Sequence, residues 1–213
     1  MHDKKVHLFI FLLLVLSTFA FAQKNEVSVS VGALATSDQQ TTVVGLVCVI
    51  GNPNCGGPFN NHTSTNAGFE GDYVRQIFNF HIASIGAEFP LLGVPNQNLT
   101  SDFGGGVTAT LSHSSVFFTP SARIKFVPSA RLSPFFSLGG GLEHLAGPAS
   151  SVTRGTLQYG GGLDLKTPLP HLAIRGEVRD FWARGFAEGA SNVILSPDRL
   201  HHVFGGLGLV LKF

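Results

Sequence analysis

The sequence predicts an all-β fold: eight antiparallel strands in up-and-down order, closed into a barrel that crosses a membrane, behind a cleaved export signal. Three observations predict it. Segments with a period of two recur from Glu26 to Phe213, and that period sends successive side chains to opposite faces of a strand. The connections between them alternate long and short, the rhythm of a barrel with short turns at one membrane surface and longer loops at the other. Aromatic residues fall at strand ends on the apolar face while charges collect on the other, a sorting that membrane interfaces explain.

The first element is the export signal. Lys4-Lys5, an apolar run from Leu8 to Leu16 and an ending in Ala20-Phe21-Ala22 have the order of a secretory signal peptide cleaved after Ala22. The run is short for a membrane anchor. Residues 1–22 are thus a signal peptide and Gln23 to Phe213 one barrel domain. With 13% charged residues and a net charge of +1, the chain has no basic footprint for nucleic acid. Cys48 and Cys55, the only cysteines, lie close together in a turn-rich segment. Export to an oxidising compartment points to a local disulfide, and a metal site would need further ligands nearby.

The strands follow in order. Val27, Val29, Val31 and Ala33 alternate with Ser28, Ser30 and Gly32 in the first, over Glu26 to Ala35. Thr36 to Asn66 reads as a long loop with an apolar patch, Val43 to Ile50, and room for a hairpin pinned by Cys48 and Cys55. Tyr73 to Phe80 is the second strand and Ile82 to Leu92 the third, with a tight reversal at His81. A second long polar segment runs from Gly93 to about Ser114, with strand extension at Gly104 to Thr110. Val116 to Val127, Pro134 to Leu145, Gly155 to Lys166 and Leu172 to Ala183 are the fourth to seventh strands. The eighth closes the chain: Phe213, Leu211, Leu209, Leu207 and Val203 are apolar at odd positions, over about ten residues, the length of a tilted membrane strand.

Phe80, Phe126, Phe136 and Phe213 then fall at one set of strand ends, and Phe89, Phe118, Tyr159 and Trp182 at the other. On the opposite face, alternation gathers Glu88, Arg123, Lys125, Glu143, Asp164, Lys166, Arg175, Glu177, Arg179 and Lys212. Inside an eight-stranded barrel, which side chains nearly fill, these charges must pair into a plug. Gly139, Gly141, Gly160, Gly162, Gly206 and Gly208 share that face and leave room for the guanidinium arms. Alternation alone does not say which face is inside, and a soluble barrel with an apolar cavity would invert the pattern. The aromatic belts, the terminal Phe and the loop rhythm favour the membrane version. Gln76 and Asp180 fit poorly, since parity puts both on the lipid face; a bulge or an interfacial depth would account for them.

Sites for chemistry are sparse. The glycine clusters at 104–106, 139–141, 160–162 and 205–206 lack the strand-to-helix context of a phosphate-binding loop. His113-Ser114-Ser115 has no acid at short strand spacing to orient a base. His201-His202 and Glu143-His144 offer one ligand per face each, short of a metal site. No catalytic residue, cofactor or metal is expected.

The stretch Leu172-Ala173-Ile174-Arg175-Gly176-Glu177-Val178-Arg179-Asp180-Phe181, the Gly-Gly-Gly-Leu repeats and the terminal Phe resemble the OmpA-like β-barrel domain of bacterial outer-membrane proteins, a group that includes OmpX-like and opacity-type surface antigens. The resemblance covers most of the chain after Ala22. It implies residence in outer-membrane lipid as a monomer, assembly by the β-barrel machinery through the C-terminal strand with Phe213 as its signal, and surface loops of variable role. No peptidoglycan-binding domain follows the final strand, so wall tethering by that route is not expected. The leading expectation is a structural scaffold whose loops contact a surface ligand. A narrow passive pore gated by the charge network is the alternative, followed by a lipid-A-modifying enzyme.

Overall fold

The computed structural model describes residues 25–42, 58–102, 108–148, 151–183 and 200–213. The signal segment, the Cys48–Cys55 pair and the apolar patch at 43–50 lie outside them. The described residues form eleven strands: β1 (Asn25–Thr36), β2 (Gln39–Thr42), β3 (Pro58–Thr63), β4 (Asn66–Asn79), β5 (Ala83–Asp102), β6 (Thr108–Phe118), β7 (Ser121–Phe126), β8 (Leu132–Ala146), β9 (Ser151–Lys166), β10 (Leu172–Ala183) and β11 (Leu200–Lys212).

Their pairing closes a ring. β1 lies between β11 and β4, β4 pairs with β5, β5 with both β6 and β7, and β8, β9, β10 and β11 complete the circuit, every pair antiparallel. The seam is in register from Glu26↔Lys212 to Thr36↔His202. Because β6 and β7 are two halves of one staircase and β2 and β3 lie off the ring, the barrel is eight-stranded. Closure leaves the barrel wall without an edge, so a bilayer meets no unpaired backbone there.

The structure alters four boundaries. The second strand starts at Asn66, so Gly68 to Asp72 belong to the wall. The expected long loop before it holds the β2–β3 hairpin. The third strand runs on to Asp102, and the polar segment after it is largely ladder, with β6 pairing to β5 from Thr108. The fourth strand is interrupted at Thr119-Pro120, because Pro120 has no N–H to give the ladder. The Pro120 carbonyl instead accepts from the Gly140 N–H at 3.2 Å, and the Thr119 N–H donates to Pro90 O at 3.4 Å.

Side-chain parity divides the wall. Leu132, Phe136, Leu138 and Leu142 of β8, Leu165, Leu163, Tyr159 and Leu157 of β9, and Leu211, Leu209, Leu207 and Val203 of β11 all point outward. Beyond this belt the outward positions turn polar, with His144, Thr153 and His201. An outward apolar belt of roughly ten residues per strand matches the hydrocarbon thickness that outer-membrane strands cross. Phe80, Phe89, Phe118, Phe126, Phe136, Tyr159 and Phe213 are all on this outer surface.

Both awkward residues find a physical reason. A bulge between Gln76 and Phe78 flips the phase of β4, so Gln76 turns inward while Phe78 stays outward, as one inserted residue requires. Asp180 does face outward, at the polar limit of the belt. There Tyr159 Oη donates to its Oδ2 at 2.5 Å and His201 Nδ1 lies 2.8 Å from the same oxygen.

Candidate functional site

The lumen is stratified. Its lower part holds one continuous chain of alternating charge. Lys125 Nζ donates to both Glu26 oxygens at 2.6 Å and lies 2.7 Å from Asp164. Asp164 accepts from Arg175 Nε at 2.8 Å, and Arg175 Nη1 reaches Asp72 at 3.1 Å and Ser28 Oγ at 3.0 Å. Asp72 also accepts from Arg123 at 2.9 Å, and Arg123 pairs with Glu88. Arg179 Nη2 closes the series on Glu88 at 2.6 Å, Glu177 at 2.9 Å and Glu70 at 3.0 Å. Ser30 Oγ donates to Glu177 at 2.7 Å. Charges withdrawn from water this completely are tolerable only when paired, and each link here is a short, charge-assisted contact.

The small residues on the inner face make space for this chain. A Cβ on Gly160 would lie 2.9 Å from both Cα and Cγ of Arg179, and one on Gly162 2.7 Å from the Phe135 ring. That ring lies between two guanidinium groups, Arg123 at 4.2 Å and Arg175 at 4.7 Å from its centroid. It is an inward aromatic that adds cation–π attraction in a desolvated site.

Above the charges sits a layer that a polar-inside, apolar-outside rule does not anticipate. Leu34, Leu92, Val94, Phe117, Phe181 and Phe204 all point inward and are buried as one cluster. The Phe117 and Phe181 rings are 4.8 Å apart. The space that Phe204 leans into along its own strand is left by Gly206, where a Cβ would meet its ring at 2.7 Å. An apolar constriction of this kind excludes water and ions.

A second polar layer covers the aromatic one. Arg154 Nε and Nη2 grip the Glu143 carboxylate at 2.6 and 3.0 Å. Arg154 Nη2 also lies 3.1 Å from His202 Nε2. A guanidinium is only a donor, so that ring nitrogen accepts, and Nδ1–H then donates to Thr36 Oγ1 at 2.9 Å. His202 is therefore an inward, buried residue; His201, one residue before it, is the exposed partner of Asp180.

Of the charges expected inside, Glu88, Arg123, Lys125, Asp164, Arg175, Glu177 and Arg179 meet in the continuous network. Glu143 belongs to the outer layer. Lys212 is at the lower edge, 3.8 Å from Glu26 and 4.0 Å from Asp164. Lys166 donates to Ser129 O at 2.6 Å. Sequence reasoning left out Glu26, Glu70, Asp72 and Arg154. Glu70 and Asp72 were inaccessible to it because they fall before Tyr73, where the second strand was expected to start, although the i, i+2 spacing of the two acids was the available signal. His113 and Ser115 do share the inner face, but Ser115 Oγ donates to Gln97 Oε1 at 2.5 Å. Burial and the nearby Arg154 push the His113 imidazole below its ordinary value.

Outside the barrel, strands continue past the belt. β5 carries β3 on one side, Asn60↔Asp102 to Thr63↔Leu99, and β6 on the other, Gln97↔His113 to Asp102↔Thr108. β2 adds to β3. The result is a four-stranded blade, order β2-β3-β5-β6. The wall partner β8 joins β6 only from Ser114 onward. Among the described residues, Thr108 to His113 therefore have a ladder on one side alone.

No family model matches the sequence, and no curated protein does. The fold does have solved counterparts. The outer membrane protein OprG of Pseudomonas aeruginosa superposes with a TM-score of 0.58 at 12% identity, over 90% of this chain and 96% of that one. Neisserial surface protein A superposes at 0.52 and 10% identity, over 89% and 97%. At such identities the likeness is one of fold: an eight-stranded β-barrel of the bacterial outer-membrane type.

Proposed function

We propose that the chain is an integral protein of the bacterial outer membrane, a closed scaffold that holds a β-blade outside the bilayer for an extended polypeptide to join as a further strand. The observation that carries this is that, among the described residues, Thr108 to His113 have a ladder on one side alone. An open strand edge presents unpaired N–H and C=O groups at fixed spacing, and a partner strand gains affinity from the main chain and selectivity from alternate side chains. The exposed Leu111 sits on that edge among Thr108, Thr110 and Ser112. A lumen closed by both a charge chain and an aromatic layer suits a rigid support better than a conduit.

Selection of displayed peptides against the refolded protein in nanodiscs tests the reading. Enriched sequences should alternate in polarity, slow amide exchange at residues 108–113 or 39–42, and lose binding when residues 97–113 are trimmed to a short turn. Binding that survives this trimming together with replacement of residues 39–63 would refute it.

A further inference from the structure

At the end of the barrel with the short turns, a vestibule of about 650 Å³ opens between Gln76, Asn79, His81, Lys166, His171 and Lys212. A pocket of about 20 Å³ continues inward along Glu26 and Gln76 to Arg123 and Lys125, where the charge chain ends it. The vestibule is thus blind. Its volume lies within the ordinary range for small-molecule sites, about 300–1,000 Å³.

Its lining brings Lys166, His171 and Lys212 together with one acidic side chain, Glu26, among the described residues, and with Phe213. Glu26 lines it, but Lys125 engages both oxygens of that carboxylate at 2.6 Å. Lys212 Nζ has its nearest carboxylates at 3.8 and 4.0 Å, beyond hydrogen-bond reach. Lys166 stands on the other side of the start of β10, where Ala173 pairs with Lys166 and Leu172 with Leu211. Two strand spacings and an offset of two residues along the sheet put the two lysine backbones roughly 12 Å apart, a gap that one small molecule bridges between the long side chains. His171 lies between them, its backbone held at φ 67° and its Nδ1–H donating to Lys212 O at 2.9 Å, which leaves Nε2 as the ring's second polar atom.

We propose that this vestibule binds a small solute carrying two acidic groups, carboxylate or phosphoryl, one docked on Lys212 and the other on Lys166. Ammonium groups bind such oxyanions as point charges through short, charge-assisted hydrogen bonds. The blind floor admits nothing longer, and the cationic lining disfavours amines. The site lies at the opposite end from the blade, so the two readings stand or fall separately.

The test is a titration of the refolded chain in non-ionic micelles, at constant ionic strength, followed by amide chemical shifts. Citrate and pyrophosphate are the probes and acetate the single-charge control. Saturable shifts at residues 166–171 and 212 with either probe, at least tenfold weaker with acetate, are expected. Lys212→Gln and Lys166→Gln should each weaken binding about tenfold, while Arg131→Gln, on an exposed turn nearby, leaves it unchanged. Linear shifts with both probes, or equal loss in Arg131→Gln, overturn the proposal. If Lys212→Gln does not refold, Lys166→Gln decides alone.

Discussion

Arg179 is the residue whose loss the lumen should feel most. It is 1% exposed, and four carboxylates stand within 4 Å of its Nη2: Glu88 at 2.6 Å, Glu177 at 2.9 Å, Glu70 at 3.0 Å and Asp72 at 3.9 Å. In Arg179→Met, Asp72 and Glu88 keep Arg123 and Glu177 keeps Ser30 Oγ. Glu70 has no comparable second partner, since Arg179 approaches it off the hydrogen-bonding axis and neither of its oxygens has a hydrogen bond. An uncompensated buried charge costs about 3–5 kcal/mol. Adding Glu70→Gln removes that charge, so the double variant should regain about 1–3 kcal/mol, the coupling expected of residues in one network. Equilibrium urea unfolding in lipid vesicles, read through Trp182, the single tryptophan, measures both. A loss under 1 kcal/mol, or no recovery in the double variant, would refute the reasoning.

Three further outcomes are expected. Gly160→Val should destabilise by about 1–3 kcal/mol through overpacking against Arg179, whereas Gly71→Val, with nothing within 4 Å of its Cβ, should change stability by less than about 0.5 kcal/mol; the same unfolding assay compares them. Val178→Arg, within the outward apolar belt, should cost about 2–4 kcal/mol and His201→Arg, at its polar limit, about 0–1; equal costs would contradict the assigned depth. In planar bilayers the refolded protein should be silent, and Phe117→Ala should stay silent while losing about 3–5 kcal/mol, because the charge chain still blocks the lumen below. Steady current steps from Phe117→Ala would mean that the aromatic layer is the only seal.

How much of this was legible before the structure depends on phase. Parity put Glu88, Arg123, Lys125, Asp164, Arg175, Glu177 and Arg179 on one face because no bulge interrupts the wall strands that carry them at those points. It misplaced Gln76 because the extra residue near Ile77 leaves no compositional trace. A second register shift, between Val94 and Gln97, contains Asn96 at φ 54°, a conformation asparagine tolerates better than most residues. The inner aromatic layer was hidden for another reason. Polarity assigns apolar residues to lipid, yet Phe117, Phe181 and Phe204 are inward by the same parity that sends Phe118 and Val203 outward. The blade was illegible because Gln39–Thr42 and Pro58–Thr63 are polar segments that show no alternation of their own, Pro58–Thr63 pairing with β5 and Gln39–Thr42 with Pro58–Thr63.

The charge chain also constrains how the barrel forms. Its links join residues far apart in the chain: Arg175 with Glu26 and with Ser28, Ser30 with Glu177, Arg179 with Glu88. A partly built sheet of β4 to β9 would hold Glu70, Asp72 and Glu88 against Arg123 alone, with Arg175 and Arg179 still missing. Such an intermediate carries surplus acid toward hydrocarbon, so insertion and closure of the β1–β11 seam have to proceed together. Dependence on contacts this distant also implies slow folding. The interior thereby acts as a proofreading step, because only a complete ring of strands satisfies its electrostatics.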